Sequence, residues 1–138
     1  VCLYVSRHRV QALFKKPTVP VEVTQNKMCQ GKKLCGVIYV APWCSACNQM
    51  LPIISQIANF AASDPDYGVL VIVGKGQDPI ENNEKAIEIG PTAITDNRGV
   101  FHDALGIDRY PTFLVVNSQL KVLQTGQDAF NWMQTTFN

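Results

Sequence analysis

Val37-Ile38-Tyr39-Val40-Ala41-Pro42-Trp43-Cys44-Ser45-Ala46-Cys47 joins three signals in eleven residues. Val37 to Val40 is continuously apolar and reads as a central strand covered on both faces. Ala41-Pro42 breaks that strand. Helical spacing then begins at the cysteines: Met50, Leu51, Ile54, Ala58 and Ala61 recur on one face, with Pro52 inside the helix and Asp64-Pro65 at its end. Two cysteines, two residues apart, thus stand where a buried strand hands over to a helix. At a helix start, unpaired N–H groups and the helix dipole favour negative charge, which lowers the pKa of a thiol placed there. Thiolate is the attacking species in disulfide exchange, so Cys44 is the expected nucleophile and Cys47 the expected resolving thiol. A zinc site would want four ligands, and Cys29, Cys35, His8 and His102 stand at unsuitable spacings, so no metal is expected. A static disulfide would need neither the strand-to-helix position nor the adjacent Trp43.

Outward from this stretch, Ser6 is placed to cap a basic helix through about Lys16, stopped by Pro17 and Pro20. Val19 to Thr24 alternates as a half-buried strand should, and Val69 to Val73 reads as another buried strand. Pro79 opens a helix through about Ile89, which Gly90-Pro91 closes. Thr112 to Val116 and Leu120 to Gln124 suit a hairpin around Asn117-Ser118-Gln119, and a last helix fits Gln127 to Phe137. Alternating strands and helices followed by a hairpin and helix predict an α/β layer sandwich with a mixed sheet. The division expected is a basic extension over 1–18 and one domain over 19–138, since 138 residues suffice for a single core.

Charge is unevenly distributed. Seven Lys/Arg through Lys33 oppose only Glu22, whereas the remainder holds five basic and ten acidic residues. The basic segment can face a membrane surface or an acidic partner, but a solvated helix face is the simpler reading. Aromatics do not interleave with these charges, so nucleic acid is not an expected partner. Five cysteines in so short a chain favour an oxidising compartment. The apolar start Val1-Cys2-Leu3-Tyr4-Val5 carries the expectation of a signal or membrane anchor upstream. Cys29 and Cys35 enclose five residues. They read as a structural disulfide, with free thiols, a redox relay to Cys44 and metal ligation as the alternatives. Cys2 reads as a small apolar residue, and His102 as a surface or helix residue. Gly74-Lys75-Gly76 reads as a loop, because it lacks the rest of a phosphate-binding pattern. Trp43 is expected over the Cys44/Cys47 pair and Trp132 against the last helix.

Ala41-Pro42-Trp43-Cys44-Ser45-Ala46-Cys47, with Pro52 five residues after the second cysteine, resembles the active site of the thioredoxin superfamily. Tyr110-Pro111-Thr112 and Gly126 stand where that family carries its cis-proline and a glycine after the last strand. The Ala-Pro-Trp-Cys and Tyr-Pro-Thr words are similar to protein disulfide isomerase domains. Thr92 to Ile107, with Asp96-Asn97-Arg98-Gly99 and Leu105-Gly106-Ile107, is more similar to the inserted element of bacterial TlpA/ResA-type envelope proteins. The resemblance implies a thioredoxin-like three-layer sandwich, a cis Pro111, and substrate docking at Trp43, Tyr110 and Pro111. It implies thiol-disulfide exchange without a cofactor. The implied partners are proteins with cysteine pairs and a redox partner protein that can be membrane-bound. The implied location is periplasmic or otherwise extracytoplasmic.

The sequence departs from the family at two positions. Thioredoxins bury a carboxylate six residues before the first cysteine, where this chain has Ile38, and ResA-like proteins carry a glutamate three residues after the second, where it has Met50. Such a group takes the proton that the resolving thiol must lose, so slower release or a different acceptor is expected. Ser45-Ala46 leaves the direction of electron flow open. A second class, a binding module that grips a partner or metal through its cysteines without turnover, is weighed against the enzyme.

Overall fold

Strand β1 (Leu34–Val40) is the apolar stretch read above, and the sheet is built around it. The structure is a computed structural model that describes residues 18–138. The elements, in order, are α1 (Val21–Gln25), β1, α2 (Ser45–Ala62), β2 (Tyr67–Gly74), α3 (Pro79–Ile89), β3 (Ala93–Asp96), α4 (Val100–Leu105), β4 (Thr112–Asn117), β5 (Val122–Thr125) and α5 (Gly126–Thr136). The five strands form one mixed sheet in the order β3-β2-β1-β4-β5. β1 is parallel to β2, with Val37 opposite Leu70, and antiparallel to β4, with Val37 opposite Leu114. β3 adds in parallel at one edge and β5 antiparallel at the other.

Both faces of the sheet are covered, which explains why β1 and β2 are apolar without alternation. On one face, Ile38, Val40, Val69, Val71, Val73, Phe113 and Val115 pack with residues of α2, α3 and α5. On the other, Val37, Tyr39, Leu70, Ile72, Leu114 and Val116 pack with Val23 of α1, Leu105 of α4 and Ile107. Each buried branched side chain contributes about 1.5–3 kcal/mol relative to exposure. Two covered faces leave every residue of β1 and of β2 buried except the first of each. This is the three-layer α/β sandwich with a mixed sheet expected from the sequence.

Two assignments are corrected. Val19 to Thr24, expected as a strand, forms the one-turn helix α1 from Val21 onward. Pro20 offers no N–H to a ladder, and its φ of −61° suits the residue before a helix. Val19 and Val23, four apart, are buried while Val21 is exposed, which is a helical and not an alternating arrangement. The last strand begins at Val122 because Leu120, expected inside it, has φ of 64° and belongs to the turn. Thr92 to Ile107, read as an inserted element, contains the edge strand β3 and the short helix α4. The expected helix from Ser6 to Lys16, and Cys2, lie outside the described residues. Among the described residues, no helix is long and apolar enough to cross a membrane.

Candidate active site

The site forms where β1 ends. Ala41 and Pro42 lead out of the sheet, and Cys44 takes the cap position of α2 with extended backbone, φ −77° and ψ 110°. Its Sγ accepts the N–H of Cys47 at 3.0 Å, so the sulfur fills the role that a Ser or Asp oxygen commonly has at a helix start. Cys44 and Cys47 stand as a disulfide pair with Cα atoms 5.2 Å apart. Cys44 keeps 6% of its surface and Cys47 only 1%, so Cys44 is the more accessible of the two. Negative charge on Cys44 Sγ would face the Cys47 N–H and the positive end of an 18-residue helix.

The loop carrying the pair is braced from two sides. Trp43 is 55% exposed, and its indole N–H donates to the carbonyl of Lys75 at 2.6 Å. Lys75 has φ of 63°, which turns its carbonyl within the Gly74-Lys75-Gly76 loop. On the other side, Asn48 donates to the carbonyl of Pro42 at 3.2 Å and accepts from the Lys85 ammonium at 3.0 Å. The bond from Lys85 to Asn48 ties α3 to the first turn of α2, and Lys85 also pairs with Glu88 within α3 at 2.9 Å.

Tyr110 and Pro111 come to the same end of the sheet, ahead of β4, and the peptide bond between them is cis. The Tyr110 ring meets Trp43 edge-on with centroids 5.1 Å apart. Burial raises the pKa of the Tyr110 phenol. Beside Pro111 runs a groove of about 300 Å³ lined by Ile107, Arg109, Phe113 and Gly126 among others. The structure thus places Trp43, Cys44, Cys47, Tyr110 and Pro111 at one end of the sheet.

Cys29 and Cys35 are not brought to this site. They form a second disulfide pair, with Cα atoms 5.4 Å apart, buried on the opposite face of the sheet. Cys35 lies near the start of β1 and Cys44 beyond its end. A direct relay between the two pairs is therefore not supported by the geometry. Trp132 of α5 packs edge-on against Tyr67 and Phe137, at 5.7 Å from each. Ile38 is fully buried in the cluster that contains Cys44 and Cys47, so the departure noted at this position leaves apolar surroundings there. Met50 packs against the same cluster. Among the described residues, no group of three or more His, Cys, Asp or Glu side chains is placed to hold a metal ion.

Several participants were not singled out from the sequence. Asp96 is 5% exposed and accepts from the Tyr39 hydroxyl at 2.7 Å and from the N–H groups of Phe101 and His102 at 3.1 and 2.9 Å. It caps α4 and partners Tyr39 at once. Burial, with the Asp96 hydrogen bond and charge, raises the Tyr39 pKa far above its ordinary value. A signal was available: a tyrosine within a buried strand needs a hydroxyl partner, and an acid before Gly99 at a helix start is a capping candidate. His102, read as a surface or helix residue, is on α4, with Nε2 2.6 Å from the Tyr110 hydroxyl.

No protein-family model and no curated protein matches the chain. Solved structures do match. The exposed lipoprotein thioredoxin Etrx1 of Streptococcus pneumoniae is 23% identical over 86% of this chain and 97% of its own, with a TM-score of 0.58. A thiol-disulfide oxidoreductase of Bacteroides fragilis is 15% identical over 86% and 95%, with a TM-score of 0.62. The N-terminal domain of PilB from Neisseria gonorrhoeae is 18% identical over 86% and 84%, with a TM-score of 0.59. With the mixed five-stranded sheet, the helices on both of its faces and these similarities, the chain is a thioredoxin-fold protein.

Proposed function

We propose that the chain is a thiol-disulfide oxidoreductase that exchanges disulfides with protein substrates through Cys44 and Cys47. The observation that carries this reading is the cap geometry: Cys44 Sγ lies 3.0 Å from the Cys47 N–H at the start of α2, beside Trp43 and the Tyr110-Pro111 segment. In the reducing direction, Cys44 thiolate attacks one sulfur of a substrate disulfide, forms the mixed disulfide and releases one substrate thiolate. Cys47 then loses its proton and attacks Cys44 Sγ. The Cys44–Cys47 bond forms, the second substrate thiolate leaves, and two electrons have passed to the substrate. A partner dithiol resets the pair by the reverse steps, and the same steps run backwards oxidise a substrate dithiol. No cofactor is needed for either direction.

Trp43, Tyr110 and Pro111 are the proposed docking residues, with the groove beside Pro111 receiving a partner segment. The proposed location is extracytoplasmic, periplasmic in a diderm cell. The buried Cys29–Cys35 pair supports it, because such bonds persist in oxidising compartments. The exposed location of the pneumococcal lipoprotein of the same fold agrees with it. The redox partner is then a protein able to deliver or withdraw electrons there, which a membrane protein can do.

Replacing Cys47 by Ala tests the reading. The Cys47→Ala protein should accumulate mixed disulfides on Cys44 with client proteins, detectable by non-reducing electrophoresis and abolished by adding Cys44→Ser. Binding that survives both substitutions unchanged would identify a docking module without turnover.

A further inference from the structure

Tyr110 is held from behind by a side chain that the exchange reaction does not use. His102 Nε2 lies 2.6 Å from the Tyr110 hydroxyl, and the two rings stack with centroids 6.0 Å apart and planes inclined by 19°. His102 Nδ1 faces the Asp103 carboxylate at 3.3 Å. A carboxylate accepts from Nδ1–H, which leaves the Nε2 lone pair to accept the Tyr110 O–H. The imidazole is itself anchored. Its main-chain N–H donates to buried Asp96 at 2.9 Å, and its ring meets Tyr39 edge-on at 5.7 Å. Tyr110 in turn touches Trp43, the residue before Cys44.

We infer that His102 is a positioning residue for protein substrates: through the Tyr110 hydroxyl it pre-orders half-buried Tyr110 and the exposed Trp43 ring that Tyr110 touches beside Cys44. This rests on the exchange reading above. A partner segment that docks against these rings must otherwise order them on binding, and side-chain ordering weakens association. A small disulfide that reaches Cys44 without touching Tyr110 gains nothing from the arrangement. The signature of His102 is therefore a selective effect on large substrates. The short helix α4 acquires a role in this view: Asp96 caps it so that His102 stands over the docking face.

The test uses dithiothreitol-reduced protein with two oxidised substrates, insulin and glutathione disulfide, for wild type, His102→Ala, His102→Gln, Tyr110→Phe and the double variant His102→Ala/Tyr110→Phe. Each of His102→Ala and Tyr110→Phe should lower kcat/KM for insulin about fivefold, the loss expected for one neutral hydrogen bond, mainly through KM. For His102→Ala, the glutathione disulfide rate and the redox midpoint of the Cys44/Cys47 pair should not move. The double variant should be no worse than either single one, because both remove the same bond. His102→Gln, whose amide can accept the phenol proton, should recover most of the activity. Tyr110→Phe keeps the ring and removes one hydroxyl, so it guards against a folding defect in His102→Ala. Additive losses, equal losses on both substrates, or no loss with insulin would each overturn the inference while leaving the exchange reading intact. A wild-type protein that reduces neither substrate would overturn the exchange reading, and this inference with it.

Discussion

Cys35 and Cys44 lie toward opposite ends of β1 and face opposite sides of the sheet. From Cys35 to Val40 the strand alone spans about 17 Å at the usual rise per residue. The two cysteine pairs are accordingly independent. Cys29→Ser/Cys35→Ser should leave the redox midpoint of Cys44/Cys47 unchanged in a glutathione titration followed by Trp43 fluorescence. It should lower stability to urea by about 2–3 kcal/mol, the unfolded-chain entropy that so short a loop removes. A shifted midpoint would show that the pairs communicate.

The buried Tyr39–Asp96 hydrogen bond makes stability sensitive to alkali. Tyr39 has its pKa raised by burial and then by Asp96 from an ordinary value of 10.0. Above that value the unfolded chain releases a proton that the folded chain keeps, so stability present below pH 10.0 is lost as pH rises. Tyr39→Phe should cost about 1–2 kcal/mol at neutral pH, because Asp96 loses one of its donors. In urea titrations at increasing pH, the variant should lose less stability above the ordinary tyrosine value than wild type. Parallel pH curves would mean that Tyr39 ionises in the folded protein as it does when unfolded.

Gly74, at the end of β2, is required by the same pair. A Cβ there would collide with the Tyr39 hydroxyl and approach Asp96 Cβ at 3.2 Å. Neither neighbour can retreat without breaking the buried bond. Gly74→Ala should therefore destabilise by about 2–3 kcal/mol, read as a lowered urea midpoint at constant slope. The effect should shrink in a Tyr39→Phe background, where no hydroxyl stands in the way.

Ile38 occupies the position where thioredoxins carry a buried carboxylate, and it is fully buried among apolar side chains. Ile38→Asp should destabilise by at least about 3 kcal/mol at neutral pH, the cost of an unpaired buried polar group. Burial raises the pKa of the new acid, so the penalty should grow as pH rises above the ordinary aspartate range near about 4. The same change should accelerate release of the mixed disulfide, since the acid can take the Cys47 proton. Stop-flow quenching of the mixed disulfide, beside urea titrations at pH 4 and pH 7, separates the two effects.

Much of this was legible because local chemistry dictates it. The apolar run ending at Ala41-Pro42, the periodicity after Cys47 and the Pro79 start each specify an element from within a few residues. The failures have the same physical origin. Val19 to Thr24 alternates like a strand, yet among the described residues no strand pairs with it, and Pro20 favours the start of a turn of helix instead. Leu120 left the last strand for a backbone conformation that turns supply and side-chain pattern does not reveal.

The sequence alone determined the cysteine motif, its position between strand and helix, and the apolar faces that make a mixed sheet covered on both sides. These follow from near neighbours in the chain, whose spacing and hydrophobicity act before any distant contact forms. Only the tertiary structure decided that Cys29–Cys35 lies across the sheet from Cys44, and that Asp96 partners Tyr39 over 57 residues. It alone brought His102 to the Tyr110 hydroxyl. Such relationships depend on which strand ends and helix starts meet when the layers close, and polar groups buried by that closure must find partners wherever the fold has carried them.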